Sequence, residues 1–148
     1  MKRLFLLPVL MLSVVLLSQG FFVARAEAWD IVGDYKYADK RYNYTAEITV
    51  TRDYRISVDS RIVGGICGFN GQIRDREKKK ITKQLSANPQ SVEVAAWNGE
   101  KGKNSEELIF LFTPDTVILK RGSTKFNGLY CGQRLQLPDA SEVFKKVK

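Results

Sequence analysis

The chain has 148 residues, with 24 lysines and arginines against 16 acids, a formal net charge of +8 and no histidine. That length holds one domain with a real core, not two. The missing histidine excludes Ser-His-Asp and Cys-His nucleophile activation, histidine general bases and the commonest metal ligand.

Lys2 and Arg3 open the chain, an apolar run follows from Leu4 to Leu17, and Ala24-Arg25-Ala26-Glu27-Ala28 comes next. A charged start, a short apolar middle and small residues before the cut form a secretory signal. Cleavage after Ala26 and cleavage after Ala28 fit equally. An uncleaved anchor is the alternative, weakened by Pro8 and by the polar residues from Ser18 onward. Residues 1–26 are therefore expected to be a signal peptide, and residues 27–148 a single domain in the periplasm or secreted. Removing 1–26 takes out Lys2, Arg3 and Arg25 and no acid, so the charge falls from +8 to +5.

Period-2 alternation dominates the rest. Ile31 to Tyr37 reads as a first strand. Tyr42 to Thr51 is a second, with Tyr42, Tyr44, Ala46, Ile48 and Val50 on one face. Tyr54, Ile56 and Val58 repeat the pattern. A three-residue loop at Thr51-Arg52-Asp53 places Val50 against Tyr54 and Ile48 against Ile56, which keeps apolar residues together. Ile66 to Ile73 is expected to be broken by a turn or bulge at Asn70-Gly71. Ile81 to Leu85, Val92 to Trp97, Leu108 to Phe112, Val117 to Leu119 and Leu129 to Leu137 complete the strands. Thr113-Pro-Asp-Thr116, Asn98-Gly99 and Asn127-Gly128 mark turns. Asp139 with Glu142 reads as a capping box opening a short C-terminal helical turn.

No helix-period segment is long enough to connect parallel strands. The reading is an all-β fold: a small antiparallel barrel of about eight strands, lipocalin-like or lysozyme-inhibitor-like. Ile48, Val50, Ile56, Val58, Val94, Leu111 and Val117 are expected inside. The two cysteines, Cys67 and Cys131, are expected to form one disulfide in an oxidising compartment.

The densest charge lies in Arg74, Arg76, Lys78, Lys79, Lys80 and Lys83, opposed by Asp75 and Glu77. These residues read either as a docking surface for anionic lipid or as a solvated loop. Lys120, Arg121 and Lys125 form a second basic turn, which extends the patch if both lie at one barrel end. Tyr35, Tyr37, Tyr42, Tyr44, Tyr54, Trp97 and Tyr130 line a barrel mouth or fill the core. No catalytic residue, metal site or cofactor is indicated: two distant cysteines lack zinc partners, and no glycine-rich phosphate loop precedes a helix. Nucleic-acid binding is disfavoured by export and by the absence of a recognised module.

A signal, about 120 further residues, one cysteine pair and no histidine resemble small exported bacterial β-barrel proteins. Within that group the chain is loosely similar to the periplasmic C-type lysozyme inhibitors. Their motif pairs Ser-Gly-x-x-Tyr with Trp-x-Lys-Gly. Here Trp97-Asn-Gly-Glu-Lys-Gly102 has the same letters with two extra residues, and Ser-Gly-x-x-Tyr is absent. The resemblance implies an eight-stranded barrel that meets its target through loops; no site residue carries over. The expected function is a non-enzymatic exported binding protein of the bacterial periplasm or cell surface. Its partner would be an envelope protein or glycan, a lysozyme being the most concrete. The alternatives are docking to anionic lipid or lipopolysaccharide through the basic loops, and a hydrolase that works without histidine.

Overall fold

The computed structural model describes residues 29–83, 87–97, 99–102, 106–120 and 141–148. The strands are β1 Gly33–Asp39, β2 Tyr44–Val50, β3 Arg55–Ile62, β4 Gly65–Ile73, β5 Gln90–Trp97, β6 Glu106–Phe112, β7 Thr116–Lys120 and β8 Phe144–Lys146. One helix, α1 Asp75–Thr82, joins β4 to β5. Each strand pairs antiparallel with the next, and β8 pairs with both β7 and β1, closing the barrel. Each described strand is thus paired on both sides over part of its length.

Alternation sets the faces. Ala46, Ile48 and Val50 of β2 point inward and are buried, while Thr45, Glu47 and Thr49 point outward. Ile56 and Val58 of β3, Val92 and Val94 of β5, and Val117 and Leu119 of β7 continue the core. Large rings fill it: Tyr35, Phe110, Phe112 and Phe144 are fully buried. Tyr35 meets Phe112 edge to face at 5.6 Å, and Phe110 stacks on Phe112 at 6.2 Å. The Tyr35 hydroxyl donates to the Ile31 carbonyl at 2.8 Å, and burial pushes its pKa well above the ordinary value. An apolar inside with a polar outside is the reverse of a membrane-spanning barrel.

Several local expectations change. Ile81–Leu85 does not begin a strand, because Ile81 belongs to α1 and packs on the core. Asp75 and Glu77 in the first turn and Lys79 and Lys80 in the last complement the helix dipole, so the charged run favours a helix. Asn70-Gly71 makes no break. Gly71 lies inside β4, where an added Cβ would meet Val94 Cγ1 at 2.4 Å, so the glycine makes room for packing. Leu111 points outward, because Phe110 and Phe112 on either side take the interior.

The β2–β3 register is two residues from the expected one, with the faces preserved: Val50 pairs with Ile56 and Ile48 with Val58. The loop is Arg52-Asp53-Tyr54, one residue further on. The Thr51 N–H donates to the Arg55 carbonyl at 3.0 Å, and Tyr54 takes φ +60°. A left-handed residue at the end of a three-residue loop is a common hairpin solution. The C-terminal helical turn is also revised. Asp139 lies outside the described residues, but Phe144–Lys146 is strand, because Phe144 is needed inside to close the ring. The expected Leu129–Leu137 strand lies outside the described residues.

Candidate functional site

Alternating strand direction gives the barrel two ends. At the helix end lie residues 51–54, 74–89 and 113–115, with the segments flanking β1 and β8 at 29–32 and 147–148. At the hairpin end lie, among the described residues, 40–43, 63–64, 99–102 and 141–143. Of the basic residues, Arg74–Lys83 and Lys120 are the ones that can be placed. Arg74–Lys83 belongs to the helix end, whereas Lys120 ends β7 at the other, pairing with Ile109. Lys120 and the α1 cluster do not form one patch. Arg121 and Lys125 lie outside the described residues.

Half of the basic residues in the helix-end cluster are paired with acids. Arg74 pairs with Glu107 on β6, and Arg76 with Glu93 on β5. Glu77 is buried, with Lys80 Nζ at 3.0 Å and Arg76 Nε at 3.5 Å. The Arg76 guanidinium donates to Glu93 and holds that carboxyl below its usual range, helped by the charges of Arg74 and Lys80. Among the described residues, Lys78, Lys79 and Lys83 have no ion pair. The paired half ties α1 to β5 and β6.

The hairpin end is different. Among the described residues, five large apolar ones are exposed: Tyr42, Val63, Ile66, Val143 and Val147. All but Val147 lie at this end. Scattered exposed apolar residues are ordinary, but a cluster at one end is informative. Strand order makes the cluster an arc. Val143 precedes β8, Tyr42 is in the β1–β2 loop, Val63 is in the β3–β4 turn, and Ile66 opens β4 opposite Arg61. Each tip has a local cause. Val63-Gly64 is a two-residue turn with Gly64 at φ +83°, which thrusts Val63 out at 80% exposure. Ile66 is 72% exposed because its neighbour Cys67 takes the inward position.

Charge surrounds the arc. Lys40 and Arg61 are exposed and have no ion pair among the described residues. Arg41 binds Asp39 at 2.9 Å, and its guanidinium lies 5.6 Å from the Tyr42 ring centroid. The hydrogen bonds from Arg41, two from its guanidinium and one from its backbone N–H, hold Asp39 below the usual carboxylate range. Arg61 also borders a cleft of about 430 Å³ on the outer face of β1–β3, with Lys36, Glu47 and Asp59. Inside the same rim, Tyr44 donates to Glu142 at 3.1 Å and lies 3.5 Å from the buried Ser60 hydroxyl. Burial raises the Tyr44 pKa, and the Glu142 charge adds to this.

Of the aromatic set, Tyr35 is core, Tyr37, Tyr44 and Tyr54 are half-buried against it, and Tyr42 is exposed. Trp97 ends β5 and lines an outer cleft with Thr51, Arg55 and Asn70, and Lys101 Nζ lies 5.6 Å from its ring centroid. Tyr130 lies outside the described residues. Cys67 is buried and faces inward on β4, and Cys131 lies outside the described residues. Lys40, Arg61, Val63 and Ile66 were not legible as site residues, although Gly64-Gly65 between two β-branched residues signals a hairpin tip. Comparison of the chain with family models, with curated proteins and with solved structures finds no match.

Proposed function

We propose that this chain is a non-enzymatic exported binding protein of the bacterial periplasm or cell surface, and that it meets its envelope partner through the hairpin end of the barrel. The observation that carries the reading is the clustering of exposed apolar residues there, beside basic residues without ion pairs. The ring-filled interior leaves the outer surface and the loops as the contact regions. Export is supported by the N-terminal pattern of charge, apolar run and small residues. The Cys67–Cys131 disulfide is supported by the cysteine count and by the absence of a free cysteine among the described residues. Photo-crosslinking in living cells tests the reading. A crosslinker placed at Val63 should capture an envelope component, and one at Lys79 should not. Capture at Lys79 alone overturns the assignment of the end.

A second reading is inhibition of a cell-wall hydrolase such as a lysozyme. It is favoured by Trp97 and Lys101, whose Nζ lies 5.6 Å from the indole ring centroid. An inhibitor should slow lysozyme clearing of cell-wall suspensions, and Trp97→Ala should weaken that effect. No slowing by the parent protein rejects it.

A further inference from the structure

We propose that the arc formed by Tyr42, Val63 and Ile66, with Lys40, Arg41 and Arg61, is a peripheral docking surface for an anionic lipid bilayer. The proposal rests on the reading that the hairpin end is the binding end, and it names the partner.

The shape of the arc comes first. The apolar residues are convex tips, not walls of a pocket, and Val63 and Ile66 stand 80% and 72% exposed. Strand order places the two hairpins side by side, since β2 pairs β3 with Thr45 opposite Arg61. Short aliphatic tips are poor anchors for a protein partner, where tryptophan, tyrosine and arginine dominate and valine is under-represented. They suit the headgroup boundary of a bilayer, which deforms around them and gains from each buried methylene. Tyr42 adds a ring with a polar tip, the side chain favoured at that depth.

Charge complementarity selects the lipid. At this rim Asp39 is held by Arg41, and Glu142 accepts from the Tyr44 hydroxyl. Lys40 and Arg61 have no ion pair among the described residues and stand exposed beside the tips. With the tips in the boundary, both reach headgroup phosphates, and the Arg41 guanidinium over the Tyr42 ring lies at the same level. Anionic headgroups attract such residues within a Debye length. The basic residues of α1 lie at the opposite end and take no part.

The test is vesicle flotation of the exported protein, purified as the cell processes it. One set of vesicles contains phosphatidylethanolamine with phosphatidylglycerol, and the other phosphatidylcholine alone. The parent should float with the first set at about 0.1 M salt and much less with the second. Val63→Ser with Ile66→Thr should lower partitioning about tenfold, as should Lys40→Glu with Arg61→Glu. Both pairs are exposed, and an unchanged melting temperature shows that the variants fold. Lys78→Glu with Lys79→Glu should float like the parent.

Failure of the parent to float overturns the lipid assignment. If crosslinking at Val63 still captures a protein, the hairpin end stays the binding end with a protein partner. If sedimentation instead shows a dimer that Val63→Ser with Ile66→Thr dissociates, the occupant is a second copy. Flotation abolished only by the α1 variant overturns both the lipid arc and the choice of end.

Discussion

Neighbouring residues on one strand carry opposite consequences. Val50 points into the barrel and is 2% exposed, whereas Thr45 stands outward on the same strand. Val50→Asp places an unpaired charge among Ile48, Ile56 and their neighbours and should cost several kcal/mol. Thr45→Asp faces water opposite Arg61 and should leave stability nearly unchanged. Urea denaturation of both variants checks this, and similar losses would contradict the assignment of faces. The outward position of Leu111 shows where alternation stops being readable. In Leu108-Ile-Phe-Leu-Phe112 every residue is apolar, so periodicity alone cannot choose a face. The larger area of the two phenylalanines decides it.

Helix α1 is the element that sequence patterning misassigned. Its charges looked like a solvated loop or a docking surface, and its Ile81 looked like a strand start. In the structure the helix is held to the barrel wall by Arg74–Glu107 and Arg76–Glu93, with Glu77 buried beneath it. These partners lie on β5 and β6, distant in the chain, so no local pattern announces them. The arrangement predicts a pH dependence. The folded-state pKa of Glu93 is lowered, so its contribution is present above the unfolded carboxylate value. It is lost as pH falls through the folded one. Glu93→Gln should lower the melting temperature slightly at neutral pH. The gap between variant and parent should close as the pH falls through the carboxylate range. A gap that is constant with pH would exclude the ion pair as its source. Because the pair is solvent-exposed, the effect should be small and should shrink in high salt.

For the whole molecule, closure depends on a strand of only three residues, β8, set between β7 and β1. Cys67 lies on β4, and a bond to Cys131 would tie that wall to the segment between β7 and β8. Alkylation of the exported protein without reductant should label neither cysteine. Cys67→Ser should expose Cys131 to label and cost about 2–5 kcal/mol. Full labelling of both thiols in the folded parent would refute the bond.

The alternation of β2, β3, β5 and β7 was legible directly, because a strand with one buried face must repeat every second residue. So was the all-β architecture, since no segment had the length and period of a crossover helix. The hairpin register, the reading of Gly71 as a packing position and the outward turn of Leu111 depended on which strands meet. The end of the barrel at which each loop emerges is likewise a property of the closed sheet. That is why Tyr42, Val63 and Ile66, separate in the chain, form one arc, while Lys120 stands at the opposite end from the α1 cluster. Local sequence sets which side of a strand is apolar, but only closure brings distant tips together.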